Sequence, residues 1–182
     1  MPTVNLAVAA SADDGYERAD TTVDITATLL SVTAGEVYSI CRFNNVTVSK
    51  GAVIDAADFK IYLYTTSHDS PNMDVHCEDA DDSAQPVVAN TNISARSRTT
   101  AKTVDNGADV GVGTRTISIV SAVKEVIDRA GWASGNDLSV IMKYVAGGDM
   151  YCRSFDYSGG VNKALLDITY HIAGGYYYQQ QQ

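Results

Sequence analysis

Alternation of apolar and polar residues recurs in four separate stretches of this 182-residue chain. Apolar side chains spaced two residues apart fit a β-strand that turns one face to a core and the other to solvent. The four stretches cover residues 59–64, 73–78, 138–144 and 166–172, and weaker patterns cover residues 4–9, 23–30, 36–43, 99–104 and 150–155. The sequence therefore predicts a mostly β protein.

Turn-forming residues separate the predicted strands. Combinations of Gly with Asp, Asn, Ser or a second Gly occur at residues 13–15, 105–107, 147–149 and 158–160, where they favour tight turns. Many short strands joined by such turns are typical of a sandwich or a barrel. The chain is short enough for one domain, which we expect to span residues 1–173. A tail at residues 174–182 follows it.

One helix is predicted among the strands, over about residues 119–130. Apolar residues recur there at helical spacing. Ser118 or Ser121 could cap its start, and Gly131 could end it in a left-handed conformation.

The charge balance is acidic, with 22 Asp and Glu against 13 Lys and Arg and a net charge of −9. Binding to nucleic acid or to anionic membranes needs clustered basic residues, so neither partner is expected. No stretch approaches the ~20 apolar residues that span a bilayer. Residues 1–5 (MPTVN) lack the features of a secretory signal, so we expect synthesis in a cytoplasm.

The sequence predicts no enzyme. It contains no His-Glu-x-x-His, Gly-x-Ser-x-Gly or phosphate-binding loop motif. Cys41, Cys77 and Cys152 are odd in number and far apart, which favours buried apolar roles over a disulfide or a nucleophile.

Two acidic clusters are candidates for a calcium site. One contains Asp13 and Asp14, and the other contains Glu78, Asp79 and Asp81. Calcium takes several oxygen ligands from acidic loops, although a solvated acidic turn is the alternative and the EF-hand spacing is absent. No other cofactor is expected.

Tyrosine dominates the aromatic residues, with 11 Tyr against 3 Phe and 1 Trp. Such rings suit either sugar stacking or protein contact. Tyr62, Tyr64, Trp132 and Tyr151 are the candidate sugar platforms, although Trp132 is also expected to anchor the end of the helix in the core.

The C-terminal tail carries three consecutive tyrosines, Tyr176, Tyr177 and Tyr178, followed by four glutamines. A tail of this composition has no core of its own to join. Tyr offers a large contact area at low entropic cost, so these three residues are candidate contacts with a neighbouring subunit.

Several motifs, in one order, resemble a family of jelly-roll β-sandwich modules. They are residues 41–57 (CRFNNVTVSKGAVIDAA), 78–81 (EDAD), 98–100 (RTT), 126–136 (VIDRAGWASGN) and 154–156 (SFD). The similarity spans roughly residues 4–170. The family resembles carbohydrate-binding modules and occurs in phage virion proteins and secreted bacterial proteins. The resemblance implies a jelly-roll fold and a non-catalytic role, and it supplies no ligand-binding residue.

Three functions are compatible with these observations. The expected one is a virion structural protein, either a capsid decoration or cement protein or a fibre component. It would bind other virion subunits as a homo-oligomer or on a capsid lattice. The alternative is an extracellular carbohydrate-binding module with a host glycan as ligand. An enzyme such as a polysaccharide lyase or hydrolase would need convergent carboxylates or a Tyr–His pair in one groove.

Overall fold

The computed structural model describes residues 1–64, 71–106 and 111–172. Over these ranges two six-stranded antiparallel sheets face each other as a sandwich, and one short helix accompanies them. This confirms the predicted fold class. The front sheet contains β1 (Thr3–Ala7), β4 (Leu29–Val32), β6 (Val53–Leu63), β9 (Gly113–Ser118), β11 (Met150–Arg153) and β12 (Leu165–His171). The back sheet contains β2 (Asp14–Arg18), β3 (Val23–Asp24), β5 (Glu36–Phe43), β7 (Asn72–Cys77), β8 (Thr103–Asp105) and β10 (Leu138–Ala146).

The strand order is that of a jelly roll. In the front sheet β1, β12, β6 and β9 are neighbours in that order, and in the back sheet β5, β10, β7 and β8 are neighbours. The first strand of the chain, β1, lies beside the last, β12. Between them the chain passes repeatedly from one sheet to the other, as in two joined Greek keys. Strands β2 and β3 extend the back sheet, and β11 and β4 extend the front sheet.

The main core lies between the two sheets. Phe43 and Phe59 meet there edge to face, with ring centroids 6.2 Å apart. The three cysteines are free and buried, which confirms the prediction that they are small core residues. Burial raises the pKa of each thiol, so none is a reactive thiolate near neutral pH.

The helix α1 (Val120–Ile127) packs its apolar face onto β6 and β7. It is shorter than predicted, and both predictions about its ends are wrong. Ile119 occupies the N-cap position without a side-chain cap, so neither serine caps the helix. Gly131 does not adopt a positive φ; instead, a Cβ at this position would collide with the carboxylate of Asp81. At this position glycine allows the Asp81 side chain to approach closely and does not serve a left-handed turn.

The outer face of the back sheet is covered. Ile40 and Ile141 point away from the main core and form a second buried cluster with Ile93. Ile93 belongs to the segment 79–102, which crosses this face and is held by the buried carboxylate of Glu17. That carboxylate accepts hydrogen bonds from the backbone N–H groups of Ile93 and Ser94, each at 2.8 Å. The outer face of the front sheet is therefore the better candidate for a binding surface.

No helix in the three described ranges combines the length and the apolar character that crossing a membrane requires.

Candidate ligand-binding surface

A cluster of tyrosines lies on the outer face of the front sheet, where β6 meets β11. We call Tyr62, Tyr64, Tyr151 and Tyr157, together with Arg153, the tyrosine patch. The pleat of β6 places Tyr62 and Tyr64 on the outer face, because their neighbours Ile61 and Leu63 face the core.

Strand β11 adds its residues to the patch through its register with β6. Cys152 pairs with Leu63, and both side chains are buried. Tyr151 and Arg153 flank Cys152, so they lie on the outer face beside the tyrosines of β6. The backbone N–H of Tyr64 donates to the carbonyl of Tyr151 at 3.0 Å, which continues the pairing past the end of β6.

Arg153 lies between two tyrosine rings. Its Cζ atom is 4.3 Å from the ring centroid of Tyr62 and 4.2 Å from that of Tyr157. Tyr157 also meets Tyr64 edge to face, with centroids 5.6 Å apart and an interplanar angle of 64°. These contacts form one continuous row, in the order Tyr62, Arg153, Tyr157, Tyr64, stabilised by cation–π and aromatic interactions.

Tyr157 reaches this row from a short 3₁₀ turn, Tyr157–Gly159, that follows β11. Two hydrogen bonds hold the residues that precede this turn. The backbone N–H of Phe155 donates to Oδ2 of the buried Asp14 at 2.8 Å, and the hydroxyl of Ser154 donates to the carbonyl of Ala27 at 2.6 Å. These two bonds hold the chain just before the turn and so help to position the Tyr157 ring beside Arg153.

Tyr151 forms the polar end of the patch. Its hydroxyl is 3.5 Å from the Oδ2 atom of Asp149, at the outer limit of a hydrogen bond. Partial burial, and then the negative charge of Asp149, raise the pKa of Tyr151. The phenol therefore stays protonated at neutral pH and can donate a hydrogen bond.

As far as the described residues show, the patch is an open surface without a deep cavity. A recess of about 50 Å³ lies beside it, lined in part by Tyr62, Thr114 and Lys163. This volume accommodates only one or two water molecules. Tyr64 keeps 41% of its surface exposed. A ligand of any size would therefore lie across the rings.

Wider depressions lie elsewhere among the described residues. One, of about 370 Å³, lies between β8 and β9 and is lined by the ion-paired side chains of Asp105 and Arg115. Another, of about 430 Å³, includes Glu78 and Arg96, which pair with each other at 2.8 Å. In both cases the charged lining residues neutralise each other.

The carboxylates of the predicted calcium site are each held by protein donors. Asp13 pairs with Arg42, Glu78 with Arg96, and both Asp79 and Asp81 with Arg129. Asp14 accepts the N–H of Phe155. In the described part of the chain, no three His, Cys, Asp or Glu side chains are grouped in a way that could hold a metal ion. The geometry lends the calcium hypothesis no support, and it stays a prediction.

The structure brings together three of the four predicted sugar platforms, Tyr62, Tyr64 and Tyr151. The fourth was wrong as a platform: Trp132 is only 3% exposed, and its indole N–H donates to the carbonyl of Val48 at 3.0 Å. It fills the core, as the alternative interpretation expected. The predicted contacts Tyr176, Tyr177 and Tyr178 lie outside the described residues.

Sequence reasoning missed Arg153 and Tyr157. The alternation Tyr-Cys-Arg over residues 151–153 could have identified Arg153, since it shares a face with Tyr151. Tyr157 follows a turn, where no periodicity indicates the direction of a side chain.

No family model and no curated protein matches the chain. Among solved structures, the chain is similar to a carbohydrate-binding module, CBM28, described as specific for non-crystalline cellulose. The similarity has 10% sequence identity and a TM-score of 0.42, and it covers 74% of this chain and 66% of that one. A similarity at this level carries no argument about this chain.

Proposed function

We propose that this protein is a non-catalytic carbohydrate-binding module that holds a saccharide chain on the tyrosine patch. The observation that carries the proposal is the continuous row of Tyr62, Arg153, Tyr157 and Tyr64 on an open sheet face. In this role the partner is a glycan and the protein works outside the cell.

The chemistry of the patch suits a sugar. The C–H groups on one face of a pyranose ring are apolar and pack against an aromatic ring, while the hydroxyl groups at its edge need hydrogen-bond partners. The patch supplies rings at Tyr64 and Tyr157, and it supplies polar atoms at the Tyr151 hydroxyl and the Asp149 carboxylate. An elongated, shallow surface also accepts a long polymer, which a closed pocket would not.

The test is saccharide binding by the purified protein, measured by calorimetry on a panel of soluble polysaccharides and their oligosaccharides. Tyr64→Ala is the variant of choice, because Tyr64 is the most exposed ring and its loss costs the fold least. We expect binding at least tenfold weaker, which corresponds to about 1.4 kcal/mol.

Val88→Ala is the matched control. Val88 is 72% exposed in the segment that covers the back sheet, so its truncation also removes an exposed apolar side chain. We expect it to bind like the wild type. Failure of the wild type to bind any member of the panel, with the fold verified by circular dichroism, would refute the proposal.

The virion hypothesis stays a prediction. Its candidate contacts in the tail lie outside the described residues, and no feature of the described surface favours a capsid lattice over a glycan. It makes a different prediction, which is that the protein assembles into oligomers through its tail.

A further inference from the structure

Among the described residues, Arg153 is a charged group without a hydrogen-bonding partner. Arg42, Arg96 and Arg129 each pair with at least one carboxylate. By contrast, Arg153 makes only the two ring contacts, and no hydrogen bond or ion pair joins it to any residue in the described part of the chain. Its Nε atom is buried and has no hydrogen-bond partner.

The rest of the guanidinium is accessible. Nε is the only Arg153 nitrogen among the buried, unpartnered atoms of the described residues, so the two Nη atoms, which have no partner either, reach solvent. The two tyrosine rings lie within 4.3 Å of the guanidinium carbon and Nε is buried, so part of the hydration of the charge is lost. A charge that has lost part of its hydration gains more from an ionic partner. The two Nη groups can therefore donate hydrogen bonds to an anion.

We infer that the saccharide bound on the tyrosine patch carries carboxylate groups, as in a polymer of uronic acids, and that the Arg153 Nη atoms bind one of them. This inference rests on the proposed function. A guanidinium end presents two parallel N–H donors, which match the two oxygens of a carboxylate. The contacts with the rings of Tyr62 and Tyr157 restrict the Arg153 side chain before any ligand binds, so less conformational entropy is lost when the pair forms.

Among the cations of the described residues near the patch, Arg153 is the one that contacts the rings of the patch. The net charge of −9 repels a polyanion at long range, so attraction must come from a local contact. Lys60 is paired with Asp167 at 2.5 Å, and Lys163 lies over the ring of Phe155 with its Nζ 4.8 Å from the centroid. Asp149 at the far end of the patch disfavours a second carboxylate beside Tyr151. The acid group should therefore be recognised at one place.

The experiment compares acidic oligosaccharides with their neutral methyl esters. Tetrasaccharides of galacturonate, mannuronate and glucuronate are each titrated beside their esters at 150 mM salt, with cellotetraose as a sugar that never carries an acid. We expect at least one acid to bind tenfold or more tightly than its ester. Arg153→Gln should abolish the preference, so that the variant binds the acid no more tightly than it binds the ester.

Lys102→Gln is the matched control for loss of one positive charge. Lys102 pairs with Asp74 and lies just before β8 of the back sheet. We expect this variant to keep the preference for the acid. Arg153→Lys keeps the charge without the paired donors and should give an intermediate preference. Thermal melts of all three variants verify that each is folded.

The outcomes separate this inference from the function on which it rests. If esters or cellotetraose bind as well as the acids, or if Arg153→Gln keeps the preference, the inference fails and the proposed function stands. Equal losses in Arg153→Gln and Lys102→Gln would also overturn it, because they would indicate unspecific electrostatics. If the wild type binds no saccharide at all, both fail.

Discussion

At the scale of single residues, Asp14 contributes both to the stability of the fold and to the position of the turn that carries Tyr157. Its side chain is buried at the start of β2, with 1% of the residue exposed, and it holds the backbone N–H of Phe155. Burial raises the pKa of Asp14 to about 7, and the nearby charges of Asp156 and Asp13 act in the same direction. The hydrogen bond from Phe155 opposes this rise because it favours the ionised form.

The raised pKa predicts that stability falls as pH rises. In the unfolded chain Asp14 ionises near pH 3.8, whereas in the folded protein it ionises near 7. Its contribution is therefore complete below pH 3.8 and is lost progressively as pH rises to about 7, by at most ~4 kcal/mol. Urea unfolding of Asp14→Asn between pH 3.5 and 8 should give a flatter profile than the wild type.

Urea unfolding at the acidic end of this pH range provides the control for Asp14→Asn. At pH 3.5 both side chains are uncharged, so the two proteins should differ there by no more than about 1 kcal/mol, the scale of one hydrogen bond. An unchanged pH profile in the variant would show that another group governs the pH dependence.

At the scale of secondary-structure elements, strands were predictable where one face is buried and the other is not. Strand β5 matches its predicted range, and β7 and β12 match within one residue, because apolar side chains alternate along them. Strand β2 was missed because its sequence, DGYER, contains acids and a glycine that read as a turn. Those acids are buried, and burial of a hydrogen-bonded carboxylate cannot be seen in a sequence.

The candidate site, too, was predictable only where a local pattern determines the position of a side chain. The strand period was enough to place Tyr62, Tyr64 and Tyr151 on outer faces. Their meeting depends on the pairing of Leu63 with Cys152, a contact across a long sequence separation that no local pattern specifies. Trp132 was a candidate platform but is buried. A large ring can serve as a platform or fill a core, and only the tertiary structure decides which.

The pairing of β2 with β3 provides a test at this scale. A Cβ at Gly15 would lie 2.6 Å from the carbonyl oxygen of Asp24 and 3.0 Å from Cγ2 of Ile25. Backbone atoms cannot move aside without breaking the pair. We expect Gly15→Ala to lower the free energy of unfolding by about 1–3 kcal/mol, the usual cost of overpacking, measured by chemical denaturation.

Gly35→Ala is the matched control for Gly15→Ala. The nearest atom to its Cβ is Oγ1 of Thr33 at 3.6 Å, an ordinary contact, and Gly35 is absent from the residues with positive φ. This substitution should leave stability within about 1 kcal/mol of the wild type or raise it slightly, since alanine restricts the unfolded chain. Equal effects of the two variants would mean that the close approach at Gly15 does not matter.

At the scale of the whole molecule, the two outer sheet faces differ. The segment 79–102 closes the back face over a second apolar cluster, whereas the front face presents the tyrosine patch. All residues of the patch lie between residues 62 and 157, and the last described strand, β12, ends at His171. Sugar binding should therefore depend on neither the tail nor any contact that the tail makes.

A chain that ends at Ala173 tests this independence and the virion hypothesis together. Since the core of the described residues already includes Leu166 and Ile168 of β12, we expect the shortened chain to keep its melting temperature and the saccharide affinity of the full chain. Light scattering on both chains, with and without calcium, measures assembly in the same samples. A full-length oligomer that dissociates on truncation would favour the virion hypothesis and its contacts at Tyr176, Tyr177 and Tyr178. Lost saccharide binding in a folded, truncated chain would place the ligand outside the tyrosine patch.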